Sequence, residues 1–221
     1  MEKGRNYLTQ AENAKARFLT YDQSALIRKL GAKSDAEYIY VNFLCKPYRI
    51  SRTTGAPEYW DNGAWQDGGS FEEVMTLLDL VCDSQEDRHP AGQWVSMESL
   101  GRHFHRNLVE RGVNPVARQI EADPEAFRAA CLSMGGERVP GADIGYSVEL
   151  FEGLRVAVQF WFGDDEFPAR VRYLWDANAL QYLRYETTYF AVNLLVRRIF
   201  QAAARLSSSA PSGAVPPSTA W

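Results

Sequence analysis

The sequence predicts an α+β protein in which a mostly antiparallel sheet packs against several helices in a single domain. Two clusters of strand-like segments support this prediction, at residues 37–66 and 144–176, with helical patterns between and after them. Strands grouped in this way favour antiparallel pairing, whereas a doubly wound parallel sheet needs regular strand–helix alternation. The chain has 221 residues, of which 46% are hydrophobic, so one sizeable core can form.

The N-terminal region predicts two helices. Apolar side chains recur at helical spacing over residues 5–19. A shorter helix over residues 22–30 begins at Asp22, whose carboxylate can accept a hydrogen bond from the first turn. It ends at Gly31, because glycine tolerates the left-handed backbone that closes many helices.

The first strand cluster predicts a series of short antiparallel strands. Residues 37–43 alternate apolar and polar side chains, and a second strand follows at residues 48–51. Residues 59–65 predict a hairpin. Its turn is Asn62-Gly63, a dipeptide that tolerates positive φ at both central positions.

The middle of the chain predicts four helices. Ser70 and Glu73 form a capping box at the start of an apolar helix. A second helix is expected over residues 97–110. Pro115 and Pro124 each follow a capping residue, and proline is favoured at the first position of a helix.

The last third predicts a hairpin of long strands. Residues 154–162 alternate apolar and polar side chains, which indicates a strand with one buried face. Residues 144–150 are its expected partner, and residues 171–175 a third strand. The final helix is expected from Thr187 to about residue 206.

The predicted domain organisation is a single α+β domain over residues 1–206 and a disordered tail over residues 207–221. The tail is rich in serine, proline and alanine and cannot bury enough apolar surface to offset its ordering.

The distribution of charge excludes one class of function. A net charge of −4 argues against general nucleic-acid binding, which needs a basic surface. Seven carboxylates and no Lys or Arg lie in residues 67–87, whereas the chain after Thr187 has three Arg and no acid. We interpret both segments as solvated helix faces. The alternative is that the acidic face of residues 67–87 meets a basic partner.

Cysteine spacing and apolar runs constrain the cofactors and the compartment. Cys45, Cys82 and Cys131 lie far apart without CxxC spacing, so neither a zinc site nor an iron–sulfur cluster is expected. The N-terminus lacks an apolar secretory segment, and no run approaches the ~20 apolar residues of a membrane span. We therefore expect a soluble, cytoplasmic protein without membrane contact.

The strongest chemical pattern is an acidic corner. Asp164, Asp165 and Glu166 follow one predicted strand, and Asp176 ends the next. If the two strands pair, the four carboxylates are expected near one rim. There they could bind a divalent cation, or Asp176 or Glu166 could act as a general base. The alternative is a polar turn, with Asp176 as a helix cap.

Two weaker patterns concern histidine and tryptophan. His103 and His105 fall in a predicted helix, where residues two apart point in different directions and do not share a metal. Trp94 could form an aromatic binding surface with Tyr59, Trp60 and Trp65, or it could belong to the core. No sequence pattern nominates a nucleophile.

Several short motifs occur together in this chain. They are Gly92-Gln93-Trp94-Val95-Ser96, Asp123-Pro124-Glu125-Ala126-Phe127, Leu132-x-x-Gly135-Gly136, Gly163-Asp164-Asp165-Glu166-Phe167-Pro168, Leu174-Trp175-Asp176 and Tyr182-Leu183. In this order they resemble an uncharacterised prokaryotic family, the domain of unknown function DUF3786. The resemblance covers most of residues 10–200.

The resemblance implies a metabolic context for the protein but no reaction. Family members occur chiefly in anaerobic bacteria and archaea, and some resemble fusions with an iron–sulfur module of the corrinoid-protein type. This chain has no cluster-binding cysteines, so a direct electron-transfer role is not implied. The family brings no established activity, so no catalytic residue and no metal ligand is assigned.

Three functional hypotheses follow. The first is a non-catalytic accessory or ligand-binding protein that works beside a redox or corrinoid protein, with a cofactor or ligand that the sequence does not identify. The second is an enzyme that uses the acidic corner, with or without a divalent metal. The third is a structural subunit that uses its acidic face.

Overall fold

The computed structural model describes residues 2–101 and 115–209. The helices within these residues are α1 (Glu2–Phe18), α2 (Gln23–Leu30), α3 (Phe71–Asp83), α4 (Met97–Leu100), α5 (Pro115–Ala122), α6 (Pro124–Ser133) and α7 (Tyr185–Ser209), with a 3-10 helix at Ala179–Gln181. The strands are β1 (Lys33–Ser34), β2 (Tyr38–Phe43), β3 (Lys46–Ser51), β4 (Pro57–Asp61), β5 (Ala64–Asp67), β6 (Trp94–Ser96), β7 (Glu137–Arg138), β8 (Ile144–Phe151), β9 (Leu154–Trp161) and β10 (Arg170–Asp176).

The strands form two five-stranded antiparallel sheets, which confirms the predicted α+β class, although a single sheet was expected. The first sheet follows chain order, β1-β2-β3-β4-β5, and the second has the order β6-β10-β9-β8-β7. Each strand cluster of the sequence supplies one sheet, and β6 joins the second sheet from the middle of the chain. The backbone N–H of Leu44 donates to the carbonyl of Leu150 at 3.0 Å, which links the two sheets.

Local turn and cap chemistry follows the predictions closely. The Asp22 carboxylate accepts hydrogen bonds from two N–H groups of the first turn of α2, and Gly31 ends that helix at φ +56°. Asn62 and Gly63 both adopt positive φ in the β4–β5 turn. Ser70 caps α3 by accepting the N–H of Glu73. These features depend on a few neighbouring residues, so sequence alone can indicate them.

The second sheet is more deeply buried than the alternation in β9 predicts. Val156, Val158 and Phe160 are at most 1% exposed, as expected for the core face. Ala157 and Gln159 on the opposite face are also buried. The Gln159 amide donates to the carbonyl of Pro140 at 2.7 Å, so the loop before β8 covers this second face.

Helix boundaries differ from the predictions at two places. The helix after Ser96 ends at Leu100, because Gly101 has an extended backbone, and residues 102–114 lie outside the described part of the chain. The last helix begins at Tyr185, two residues before Thr187. It continues through Ser209, past the predicted start of the disordered tail, and residues 210–221 lie outside the description.

Helix α7 lies at the centre of the helical layer. It packs against α3 and α6, and α3 in turn packs against α1. One continuous hydrophobic cluster joins these helices to both sheets. Within the described residues, no helix has the length and apolar character needed to cross a membrane.

Candidate ligand-binding site

The structure separates the four carboxylates of the predicted acidic corner. Strands β9 and β10 are antiparallel, with Arg170 opposite Trp161 and Trp175 opposite Val156. The loop that carries Asp164 to Glu166 lies at the start of β10, and Asp176 lies at its far end. A strand of this length spans about 20 Å. The expectation that the four carboxylates lie near one rim is therefore wrong. In an antiparallel hairpin the second strand ends beside the start of the first strand, so Asp176 lies at the opposite end of β10 from Asp164, Asp165 and Glu166.

Asp164 organises its own turn. Its carboxylate accepts the backbone N–H groups of Phe167 at 2.7 Å and Glu166 at 2.9 Å. These backbone hydrogen bonds lower the pKa of the exposed Asp164 carboxyl. Asp165 and Glu166 are exposed in the same loop. The loop therefore has the geometry of the polar turn that was the alternative interpretation.

Asp176 and Trp94 lie next to each other, but the Asp176 carboxylate binds backbone N–H groups. The two residues are opposite each other in the pairing of β10 with β6. The buried Asp176 carboxylate accepts the N–H groups of Ala91, Gly92 and Asn178, each at 2.8 Å. It thereby fixes the loop before β6 and the turn after β10. Trp94 is 37% exposed beside it.

The remaining predicted site residues divide between several places. Trp60 and Trp65 belong to the first sheet and Trp94 to the second, so they do not form the single aromatic surface that was considered. His103 and His105 lie outside the described residues. In the described ranges, no three His, Cys, Asp or Glu side chains are arranged to hold a metal ion.

The acidic helix α3 and the basic helix α7 bind each other, so their interpretation as two solvated faces is wrong. Their ion pairs, extended by Arg17 of α1 and by Arg184 just before α7, are Glu72–Arg197, Glu73–Arg198, Asp79–Arg184, Asp83–Arg184 and Asp83–Arg17. Four of the seven carboxylates of residues 67–87 are thus engaged within the chain. This finding also removes most of the acidic face that was considered for a basic partner.

A cavity of about 280 Å³ opens where α1, α3 and α7 meet. Apolar side chains form most of its wall, and charged side chains stand at one side. The lining residues are Ala14, Arg17, Met75, Leu78, Asp79, Cys82, Arg184, Glu186, Thr187 and Phe190. Burial raises the pKa of the Cys82 thiol to about 12, so at neutral pH the thiol is a neutral wall group.

A pair of carboxyls on successive turns of α3 stands beside this cavity. Burial raises the pKa of Asp79, whose carboxylate also accepts the backbone N–H of Arg184 at 2.7 Å. Burial also acts on Asp83, but hydrogen bonds from Arg17, Asp79 and Tyr21 outweigh it and lower the pKa of Asp83. The two carboxyls therefore titrate as a coupled pair, in which Asp79 is the weaker acid and Asp83 the stronger.

The raised pKa of Asp79 predicts a pH-dependent effect of the substitution Asp79→Asn. A carboxyl whose pKa is raised by folding stabilises the protein below its unfolded pKa and loses that contribution as the pH rises through the folded pKa. The asparagine variant lacks this loss. Its stability relative to wild type is expected to rise from pH 4 to pH 7, by about 1.4 kcal/mol for each unit by which the Asp79 pKa is raised.

Urea unfolding of both proteins across this range measures the effect. Asp87→Asn, at an exposed position of the loop after α3, is the matched control and should show no such trend. A stability difference between Asp79→Asn and wild type that is constant or falls with pH would show that Asp79 is ionised throughout.

These features define an α+β protein with two antiparallel sheets and a small, partly charged cavity under its long C-terminal helix. The chain belongs to the family described as a domain of unknown function, DUF3786, which matches residues 22–198. No curated protein matches the chain, and no solved structure matches it. The matched region includes α3 and the cavity residues of α7, whereas Ala14 and Arg17 of α1 precede it.

Sequence reasoning missed the cavity residues for a specific reason. Asp79 and Asp83 are four residues apart, which places them on one helix face, and this spacing was visible in the sequence. Their partners Arg17 and Arg184 are distant in sequence, so only the packing of α1 and α7 on α3 shows that the two acids are paired.

Proposed function

We propose that this protein is a ligand-binding protein that takes a small organic anion with a short apolar chain into the cavity between α1, α3 and α7. The observation that supports this function is the juxtaposition of apolar walls with the two guanidinium groups of Arg17 and Arg184. Binding sites for small molecules combine largely apolar walls with a few polar groups that fix orientation.

The two arginines at the cavity can bind an anion through their N–H donors. Arg17 and Arg184 contribute two positive charges, and Glu186 in the wall and Asp83, which pairs with both arginines, each contribute one negative charge. Anion binding therefore depends on the donors of the guanidinium groups and not on an excess of positive charge. Both arginines also pair with Asp83, which holds them in position. A guanidinium has five N–H donors, so each can bind a ligand carboxylate in addition to Asp83.

The size of the cavity limits the ligand. Its volume of about 280 Å³ is at the lower end of the range for small-molecule sites. Met75, Leu78 and Phe190 provide the apolar contacts for a short hydrocarbon chain. Ligands of this size reach only modest affinity, and we expect a Kd of roughly 0.1–1 mM for a six-carbon carboxylate.

The same carboxyl pair is less suited to acid–base catalysis. A general base needs a pKa near the working pH. The pKa of Asp83 is instead lowered, with hydrogen bonds from Arg17 and Tyr21 among its causes, so Asp83 is a weak base. Asp79 accepts the backbone N–H of Arg184 immediately before α7, which gives it a structural task as well. Binding therefore accounts for the arrangement better than turnover.

Calorimetric titration with hexanoate, hexylamine and hexanol tests the proposal. Hexanoate is expected to bind, and the amine and the alcohol at least ~10-fold more weakly, because only the carboxylate can pair with Arg17 and Arg184. The substitution Ala14→Phe fills the cavity from α1 and should weaken hexanoate binding by about tenfold or more. Ala16→Phe, at an exposed position of the same helix, is the matched control and should bind as wild type does.

Equal affinities for the three probes would contradict the anion preference. Equal hexanoate binding by the Ala14→Phe and Ala16→Phe variants would place the site elsewhere.

The resemblance to DUF3786 extends this proposal to the compartment and the partner. The protein would work in the cytoplasm of a bacterium, beside a redox or corrinoid protein supplied by another chain. Co-purification of such a protein with the tagged chain from its host tests the association, and recovery of the chain alone would contradict it.

A further inference from the structure

The cavity between α1, α3 and α7 has two different ends, because α3 and α7 run antiparallel. The start of α7 lies beside the end of α3, where Asp79 pairs with Arg184 just before α7. Further along α7, the Phe190 ring meets Phe71 at the start of α3 edge to face, with ring centres 5.1 Å apart. The charged part of the cavity wall therefore lies near the end of α3, and the aromatic part lies toward its start.

The charged end of the cavity offers a place for a carboxylate. Arg17 of α1 and Arg184 pair with different oxygens of the same Asp83 carboxylate. Two guanidinium groups that share one carboxylate lie close together, and each has further N–H donors. A single ligand carboxylate can therefore accept hydrogen bonds from both arginines.

Glu186 places a negative group at the same end of the cavity. Its side chain lines the wall, and only one residue separates it from Arg184 in the chain. The ion pairs of Arg184 go to Asp79 and Asp83. Within residues 2–101 and 115–209, no cation forms an ion pair with the Glu186 carboxylate. This carboxylate is therefore available to a positive group of a ligand.

The balance of charge at this end favours a ligand that carries both signs. The positive charges of Arg17 and Arg184 are offset by the negative charges of Asp83 and Glu186. A ligand with a carboxylate alone pairs with the arginines but leaves Glu186 facing a like charge. A ligand with a neighbouring ammonium group pairs with Glu186 as well. Any ionised fraction of Asp79 adds negative charge and favours the ammonium group further.

The spacing of the wall residues indicates where the two ligand groups lie. Because Glu186 and Arg184 are so close in the chain, the ammonium group is expected beside the carboxylate and not at the far end of the ligand. Phe190 follows Glu186 by one helical turn, and Met75 precedes Asp79 by one turn. A turn rises about 5.4 Å, so a short apolar side chain of the ligand reaches both.

We propose that the ligand of this cavity is an apolar α-amino acid, with its carboxylate on Arg17 and Arg184, its ammonium group on Glu186 and its side chain against Met75 and Phe190. This inference rests on the proposed function, since it names the class of carboxylate that the same cavity binds.

Calorimetric titration of the full-length chain with hexanoate, norleucine and 6-aminohexanoate tests the inference. Norleucine is hexanoate with an ammonium group beside the carboxylate, and 6-aminohexanoate has that group at the other end. Norleucine should bind about fivefold more tightly than hexanoate, because its ammonium group pairs with the partly solvated Glu186. The compound 6-aminohexanoate should bind at least ~10-fold more weakly than norleucine, because its ammonium group would lie against Met75 and Phe190.

The substitution Glu186→Gln identifies the group that recognises the ammonium. It should weaken norleucine binding by about fivefold and leave the Kd for hexanoate within about twofold of the wild-type value. Glu166→Gln makes the same change of charge in an exposed loop outside the cavity wall, and this matched control should keep the preference for norleucine.

The possible failures separate this inference from the proposed function. Hexanoate binding as tight as norleucine binding in the wild-type chain would overturn the inference and leave the carboxylate site in place. A preference for norleucine that persists in Glu186→Gln would also overturn it. Binding of none of the three compounds would overturn the proposed function, and this inference with it.

Discussion

The substitution Arg198→Ala is expected to lower the free energy of unfolding by about 3–5 kcal/mol, the usual cost of leaving a buried charge without its partner. The Arg198 guanidinium donates to the Tyr48 hydroxyl at 2.6 Å and to the Glu73 carboxylate at 2.7 Å. Tyr48 donates to the same carboxylate oxygen of Glu73 at 2.7 Å. Glu73 is only 7% exposed, so water cannot replace the lost donor fully.

The neighbouring residue supplies the matched control for this prediction. Arg197 lies one position earlier on α7, pairs with Glu72, and has a side chain that is 46% exposed. Its replacement by alanine should cost at most about 1 kcal/mol, as exposed ion pairs usually do. Urea unfolding at pH 7 measures both values. Equal losses for Arg197→Ala and Arg198→Ala would show that the Tyr48–Glu73–Arg198 cluster contributes no more than a surface pair.

The substitution Asp176→Ala is expected to cost about 2–3 kcal/mol, since three backbone N–H groups lose their acceptor. Two of these donors, at Ala91 and Gly92, belong to the loop before β6. We expect amide hydrogen exchange at both to accelerate, because the loop is released from the end of β10. Unfolding experiments and hydrogen exchange together distinguish this local release from a general loss of stability.

Asp164→Ala is the variant to compare with Asp176→Ala, because Asp164 belongs to the other half of the predicted acidic corner. The Asp164 carboxylate accepts two backbone N–H groups within an exposed turn, where water can replace it. We expect a loss below about 1 kcal/mol for this variant. If Asp164→Ala and Asp176→Ala cost the same, the structural role that we assign to Asp176 would be wrong.

Features that depend on a few neighbouring residues could be predicted from the sequence. The Asn62-Gly63 turn, the Ser70 cap of α3 and the strand β9 all have local physical causes, and all three are present. The antiparallel class of both sheets followed from the grouping of these strands along the chain.

Features that depend on distant residues could not be predicted. Helix α7 begins before Thr187, and Asp79, more than one hundred residues earlier, accepts the N–H of Arg184 that precedes its first turn. The acids of α3 looked like a solvated face because their arginine partners lie on α7 and α1. The charge pattern showed two complementary segments, but only the packing of the helices shows that they meet.

The acidic corner failed for a topological reason. Sequence reasoning placed Asp176 near Asp164 because each follows the end of a strand, but antiparallel strands end at opposite edges of a sheet. The same register places Asp176 opposite Trp94, a juxtaposition that needs the pairing of β6 with β10. Strand order was the missing information in both cases.

A crystal structure of the protein soaked with hexanoate tests most directly whether the cavity between α1, α3 and α7 binds a small organic anion. We predict electron density for the ligand with its carboxylate within hydrogen-bonding distance of Arg17 or Arg184 and its hydrocarbon chain against Met75, Leu78 and Phe190. Density for hexanoate at another place, with this cavity empty at saturating ligand, would contradict the proposed function.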